Sequence, residues 1–566
     1  MVLTTPQPGT LASCQHLLQG QAKILADRLF GNDGPPPNTT LQYLEHTVDT
    51  LSLQLRRLVL ELLLRRQAEA MHQALPPALR HCPACGNDTL AREPQPRLLH
   101  CRSVSVAWVE PQRYCRQCRK AYFPQSRSLG IDTGHYSTDL LDLICYAGAN
   151  KPSFREASVD LAKMAGQPVH EKQVERLSKR IGLERLAERQ QQVEAFAQLP
   201  LAERKETLPA GVTAPGADVV AVVMADAGML QLRDEPVADQ EVSLAEDAGA
   251  ASAAAADDFD VEKPASKHWH EDKVGLVLTM TSAVSASDPC PEIPATFVTA
   301  DKVGKIVRGL KKSAALRGEE PEELADAAAA EVAAATEPPE YEGPKLQTRQ
   351  VVASRQSWPA FGVTLACQAW LAGFARAPRR AFVADGAGGI WGVWSARFSS
   401  YEPILDFIHA LTYVYTAAKI VGPDPAEGWR LYAEWIRWVW QGQVALVIAA
   451  LQQWQQEHGP PEKGEAKTTP RSVVAGSLRY LQNNQSRMKY DEYRKAGLPL
   501  VSSLVESMVK QVSRRVKGTE KFWGEEGASA LLQLRGDYLS DGDVMASFWQ
   551  RRQAAATGHR PYRSQD

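Results

Sequence analysis

Long apolar runs are missing from this chain of 566 residues. The longest, around Val444 to Leu451, is flanked by glutamine and falls well short of the roughly 20 residues that a membrane span requires. The opening stretch, MVLTTPQPGT, lacks both a basic segment and an apolar core, so the chain reads as cytoplasmic, with no membrane partner. Cysteine is sparse, at nine residues, and in a reducing compartment paired cysteines point to metal ligation rather than disulfides. No internal repeat of solenoid period is present. Net charge is nearly absent as well: 64 Lys and Arg stand against 66 Asp and Glu. With 44% hydrophobic and 23% charged residues, the chain can build several cores, which excludes a collagen-like or wholly disordered polypeptide.

The neutral balance hides two unlike parts. Residues 234–262 hold ten carboxylates and residues 319–342 hold nine, and neither segment contains Lys or Arg. Outside them 47 acids face 64 bases, so the remaining 513 residues carry about +17 at neutral pH. A body of that charge attracts a polyanion, whereas the Ala-rich acidic segments read as solvated insertions.

Along the chain the pattern changes several times. In 1–80, Leu41, Leu44, Val48, Leu51, Leu55, Leu58 and Leu62 recur at alternating three- and four-residue steps, a helix face that serves either as core or as a dimer interface. Residues 81–128 are short, β-like and Cys-bearing, and 136–200 return to helix. From residue 217 the apolar runs DVVAVVMAD, KVGLVLTMTSAV and RRAFVADG predict buried strands, and strands alternating with helices predict an α/β domain. A helical stretch is inserted at 419–490, helices resume over 491–550, and 551–566 form a basic tail. The five Trp at 429, 435, 438, 440 and 454 read either as core or as a stacking surface for a flipped base.

Two C-x-x-C pairs, Cys82/Cys85 and Cys115/Cys118, supply four thiolates for a tetrahedral structural zinc. His100 and Cys101 lie between the pairs as substitute ligands or as packed residues. After them, Ser153 and Glu156 match a capping box, Gly166 stands where a helix end favours a left-handed residue, and a second helix follows from Glu171 to Glu184. Its Val174, Leu177 and Ile181 predict a packed face, while Lys172, Arg176, Lys179 and Arg180 point elsewhere. The pair is either a helix-turn-helix that enters a major groove or an ordinary helical hairpin.

Asp226 and Asp385 each end an apolar run. A carboxylate at the end of a buried strand is either a cap or turn residue or, since burial strips its hydration, a cation ligand. In LVESMVKQVSRRVKG, Glu506, Lys510, Arg514 and Lys517 share the polar side of an amphipathic helix, with Arg515 among the same run of bases.

The order of zinc pairs, helical pair, ADAGMLQLRDE, HEDKVGLV, VADGAGGIW, ILDFIHA and VESMVKQVSRRVKG resembles the DDE transposases of bacterial insertion sequences of the ISKra type, over roughly residues 80–540. These are Mutator-like enzymes. The resemblance implies a multidomain α/β plus α chain: N-terminal helices, zinc ribbon and helix-turn-helix, then an RNase H-like core (217–418) interrupted by the helical insertion and completed by 491–550. It implies Asp226, Asp385 and Glu506 as catalytic ligands of two Mg²⁺ or Mn²⁺ ions. Asp406 and His409, matching a C/D-x-x-H signature, would steady the site or contact the scissile phosphate, unless His409 is simply a core residue bonded to Asp406. Lys172, Arg176, Lys179, Arg180, Lys510, Arg514, Arg515 and Lys517 would bind double-stranded DNA, both element ends and target. The implied activity is metal-dependent DNA cleavage and strand transfer by a homo-oligomer associated with the nucleoid. A catalytically inactive DNA-binding regulator and an RNase H-like nuclease without strand transfer share these features.

Overall fold

The computed structural model describes residues 11–560 apart from 32, 33, 36, 132, 133, 234–267 and 316–340. The acidic segments expected at 234–262 and 319–340 therefore lie outside the described residues, as do 561–566 of the basic tail. In chain order, helices α1 (Leu11–Phe30) and α2 (Leu41–Gln73) precede strands β1 (Leu90–Cys101), β2 (Val104–Cys115) and β3 (Lys120–Tyr122). Helices α3 (Pro124–Ser128), α4 (Thr138–Asn150), α5 (Phe154–Met164), α6 (Glu171–Gln198) and α7 (Leu201–Glu206) lead to β4 (Val219–Leu232), β5 (Trp269–Thr281) and α8 (Ala300–Ala315). Next come β6 (Lys345–Ser354), α9 (Trp358–Leu371), β7 (Arg379–Ala384), α10 (Gly388–Arg397) and β8 (Glu402–Leu405). The helical stretch comprises α11 (Phe407–Val421), α12 (Pro425–Trp440), α13 (Val444–His458), α14 (Pro470–Asn484) and α15 (Tyr490–Lys495). The chain continues with α16 (Ser503–Val516), β9 (Phe522–Trp523), α17 (Glu525–Leu539), α18 (Val544–Ala554) and β10 (His559–Arg560).

Two units result, residues 1–178 with 543–566, and residues 179–542. In the first, a four-stranded sheet has the order β1-β2-β3-β10. The second half of α2 covers it: Leu60, Leu64 and Ala68 pack against Leu99, Val104, Val106 and Trp108. The first half keeps Leu41 and Val48 exposed; within the leucine stripe Leu51 is buried, and Leu44, Leu55, Leu58 and Leu62 are half-buried. The C-terminal segment is more than a tail. α18 is tied to α4 by Trp549 Nε1 donating to Asp142, and β10 pairs antiparallel with β3. Arg560 there forms an ion pair with the fully buried Glu110.

In the second unit a six-stranded sheet has the order β6-β5-β4-β7-β8, with β9 beside the far end of β4. β4–β5 and β5–β6 are antiparallel, whereas β4–β7 and β7–β8 are parallel. β4 is covered on both faces, which is why its sequence is apolar without alternation. On the side of Gly275, α9 lies so close that a Cβ there would meet Leu365 at 2.7 Å. α16 packs on β4 and β5, and α17 on β6. The end of α6 is anchored by Arg185 and Arg189, whose guanidinium groups reach the buried Asp537 of α17 at 3.2 and 3.3 Å. Among the described residues, no helix is long and apolar enough to cross a membrane.

Candidate metal centres

The four cysteines converge as their spacing predicts. Cys82 and Cys118 sulfurs are 3.8 Å apart, Cys85 and Cys115 3.5 Å, and all four lie within 4.8 Å of one another. A tetrahedral zinc with Zn–S bonds of about 2.3 Å holds its sulfurs about 3.8 Å apart, so this set can bind zinc structurally. Each pair is followed by a residue in left-handed conformation, Gly86 (φ 73°) and Arg119 (φ 54°), which closes the knuckle. Burial raises the Cys82 thiol, but the backbone N–H groups of Ala84 and Cys85 and the neighbouring thiols outweigh it and draw the thiol down to about 6. Cys118 is pushed up to about 12 by its hydrogen bond with Cys85 and by burial. Four crowded thiols cannot all ionise without a cation between them. His100 and Cys101 stay out of this group: His100 Nδ1 lies 2.8 Å from Ser105 Oγ, and Cys101 packs beside Ala68. A neighbour that sequence spacing does not reveal is His559 of β10, whose Nε2 lies 3.7 Å from Cys82 Sγ.

Ser153 caps α5 as expected, accepting from Glu156 N at 3.1 Å and donating to its carboxylate at 2.9 Å, and Gly166 has φ 61°. Val174, Leu177 and Ile181 are buried. Yet α6 runs to Gln198 rather than ending at Glu184, and the unit boundary falls after Ser178. Lys172 and Arg176 are exposed; Lys179 and Arg180 are half-buried, and Lys179 lies along Gly527. On α16, Lys510 and Arg514 are exposed and Lys517 is half-buried. Arg515 is a correction: it is 2% exposed, with its guanidinium 5.1 Å from the Trp523 ring, and so takes the place of an apolar core residue instead of meeting DNA. The Trp group also divides, since Trp435 and Trp440 are core and Trp440 Nε1 donates to Cys290 O.

Strand register places the acids. On β4 and β7 it runs from Val220 opposite Arg379 to Met224 opposite Val383, and on β7 and β8 to Ala384 opposite Leu405. Continued by two residues and by one, it brings Asp226, inside β4, level with Asp385 and Asp406, the residues that directly follow β7 and β8, with about 4.8 Å between neighbouring backbones. Asp226 Oδ1 accepts from Ala227 N at 2.7 Å, and Asp385 Oδ1 from Ala387 N at 3.1 Å. Gly386 (φ 105°) admits Tyr480 of α14, whose hydroxyl donates to Asp385 O at 2.7 Å and whose ring stacks 3.6 Å from that of Tyr413.

Asp406 is the N-cap of α11. Its Oδ1 accepts from Ile408 N and His409 N at 2.6 and 2.9 Å, and its Oδ2 accepts from Ser502 N. His409 Nδ1 lies 3.4 Å from Asp406 and 3.9 Å from Glu506. Burial lowers the His409 pKa, but Asp406, Asp385 and Glu506 together lift it to about 9. Asp406, His409 and Glu506 are the trio brought within one ion's reach; Asp226 and Asp385 fall outside that trio, each carboxylate turned onto its own local backbone.

One acid was missed. Asp272 of β5 is fully buried, and among the described residues neither of its oxygens has a hydrogen-bond partner on another residue. Burial raises it to about 7 against its own backbone N–H and the pull of Lys273 and Lys517. It stands opposite Gly228, two residues from the partner of Asp226. The missed signal is an acid just ahead of an apolar run, HEDKVGLV, which becomes meaningful only once the pairing is known.

No protein-family model matches the chain, and no curated protein matches it.

Proposed function

We propose that the chain is a transposase that cleaves DNA and transfers the cut strand, using an RNase H-like core. The observation that carries this reading is that Asp226, midway along β4, is level in register with Asp385 and Asp406, which directly follow the parallel strands β7 and β8, while Glu506 of α16 lies 3.9 Å from His409. The sheet supports it. Numbered within the unit, its main strands have the order 3-2-1-4-5 with the second antiparallel to the rest, which is the arrangement of RNase H-like folds.

Carboxylate oxygens are hard donors that suit Mg²⁺ or Mn²⁺, and Asp226, Asp385 and Glu506 would hold the ions. Bound there, two such ions stabilise the entering and leaving oxygens of an in-line displacement at phosphorus. Asp406 is saturated by backbone N–H groups and serves to position His409. His409, 3.4 Å from Asp406 and 3.9 Å from Glu506, would contact the scissile phosphate. The reaction is two displacements: water attacks the phosphodiester at the element's end and releases a 3′-hydroxyl, which then attacks a target phosphodiester and displaces its 3′-oxygen. Lys510 and Arg514 extend the exposed side of the Glu506 helix and suit phosphate contacts. Lys172 and Arg176, one turn apart on α6, suit a second duplex contact, with the zinc ribbon as scaffold.

The test is Mg²⁺-dependent nicking and joining of DNA that carries the sequences flanking the gene. Wild-type activity in both Asp226→Asn and Asp385→Asn would sink the assignment. Salt-sensitive binding without cleavage would identify a regulator, and cleavage without joined products a nuclease.

A further inference from the structure

We propose that Asp272 is a further cation ligand of this site, holding a divalent, oxygen-seeking metal together with Asp226. The proposal rests on the reading of Asp226 as a metal ligand and adds a residue that the Asp-Asp-Glu pattern does not contain.

Three observations carry it. First, pairing sets Val274 opposite Asp226 and Asp272 opposite Gly228, so the two acids are diagonal neighbours on one face of adjacent antiparallel strands. Diagonal positions lie roughly 7–8 Å apart, within the combined reach of two carboxylates that share an ion. This is not the α9 face, because Gly275, which α9 covers, alternates with them. Second, Asp272 is 0% exposed, and among the described residues neither oxygen meets a donor other than its own backbone N–H. A carboxylate so placed is costly unless a cation or donor meets it. Of the two lysines whose charge reaches it, the adjacent Lys273 has its Nζ 2.8 Å from Glu271, and Lys517 has its Nζ 5.2 Å from the Trp269 ring. Third, Gly228 makes room for it: a Cβ there would lie 2.9 Å from Asp272 Oδ1 and 3.0 Å from Oδ2. The carboxylate thus lies against the backbone of β4, two residues along from Asp226, and not out toward solvent.

The test uses the zinc-loaded full chain freed of other metals, with Mn²⁺ as the probe and binding read from the loss of the free-ion resonance signal. Asp272→Asn should weaken Mn²⁺ binding at least tenfold, while the metal-free variant unfolds at the same temperature as wild type or higher. Gly228→Ala, which keeps every charge but obstructs the carboxylate, should weaken Mn²⁺ similarly and decides the matter if Asp272→Asn fails to fold. Mn²⁺ affinity within twofold of wild type in the folded variant overturns the proposal. Asp226→Asn separates the two levels. If it loses Mn²⁺ and Asp272→Asn does not, only the role of Asp272 falls; if neither loses Mn²⁺, the reading of Asp226 falls with it.

Discussion

Arg494 shows how much a single side chain can organise. Its guanidinium, fully buried on α15, meets Asp288 at 2.8 and 2.5 Å, donates to Trp440 O at 3.0 Å and lies 4.0 Å from the Trp440 ring. It thereby fastens the loop after β5 to α12. Burial alone would raise the Asp288 carboxyl, but the Arg494 hydrogen bonds and Cys290 N hold it below the usual range. A carboxyl depressed in the folded state contributes stability that is complete above the unfolded value of roughly 3.9 and is lost as pH falls through the lower folded value. Asp288→Asn should therefore be less stable than wild type at pH 7, with the gap closing below about pH 4, as urea titrations at a series of pH values would show. Neither residue stands out in the sequence, because an Asp in a loop and an Arg in a short helix are unremarkable until tertiary packing joins them. Asp226 and Asp385 were legible for the opposite reason: each ends a local apolar run. Asp272 was not, since its meaning depends on strand register.

At the scale of elements, the sequence reveals what is continuous and hides what is shared. β4, β5 and β7 are apolar runs and were readable, and the helix face expected from Leu41 to Leu62 lies on α2. β6 begins KLQTRQ, and β8 has only four residues, EPIL, so neither carries a strand signature; both form because β5 and β7 supply hydrogen-bonding edges. The second helix of the expected helix-turn-helix was misjudged in length because its continuation, Glu184–Gln198, is rich in Arg, Glu and Gln and looks solvated. Instead, Arg185 and Arg189 are buried and converge on Asp537, which also accepts from Gln533 at 2.8 Å. Burial even lowers Arg189 to about 10. Asp537→Ala would take the carboxylate from buried Arg189 and leave Arg185 with Glu188 alone, and should cost about 3–5 kcal/mol, measurable as a lower urea midpoint. Asp537→Asn, which keeps the shape, should cost less.

At the scale of the whole molecule, the two candidate metal centres fall in different units. The cysteine cluster belongs to the unit formed by residues 1–178 and 543–566, and the acid row to residues 179–542. Stripping zinc with a chelator should release about one ion per chain and lower the melting of the first unit. The tryptophan-rich second unit should keep its fluorescence transition unchanged. Electrostatics supplies a further prediction. Deleting residues 236–262 removes eight carboxylates and no Lys or Arg from a chain whose formal net charge is −2. Their repulsion of a polyanion acts over about 10 Å at 0.1 M salt and further in more dilute buffer. If they lie within that range of bound DNA, the shortened chain should bind arbitrary duplex several-fold more tightly at low salt, with the advantage fading as salt rises. Anisotropy titrations across a salt series would measure it. Equal affinities at every salt concentration would mean that these acids never come near the DNA, and that the +17 body alone sets the attraction.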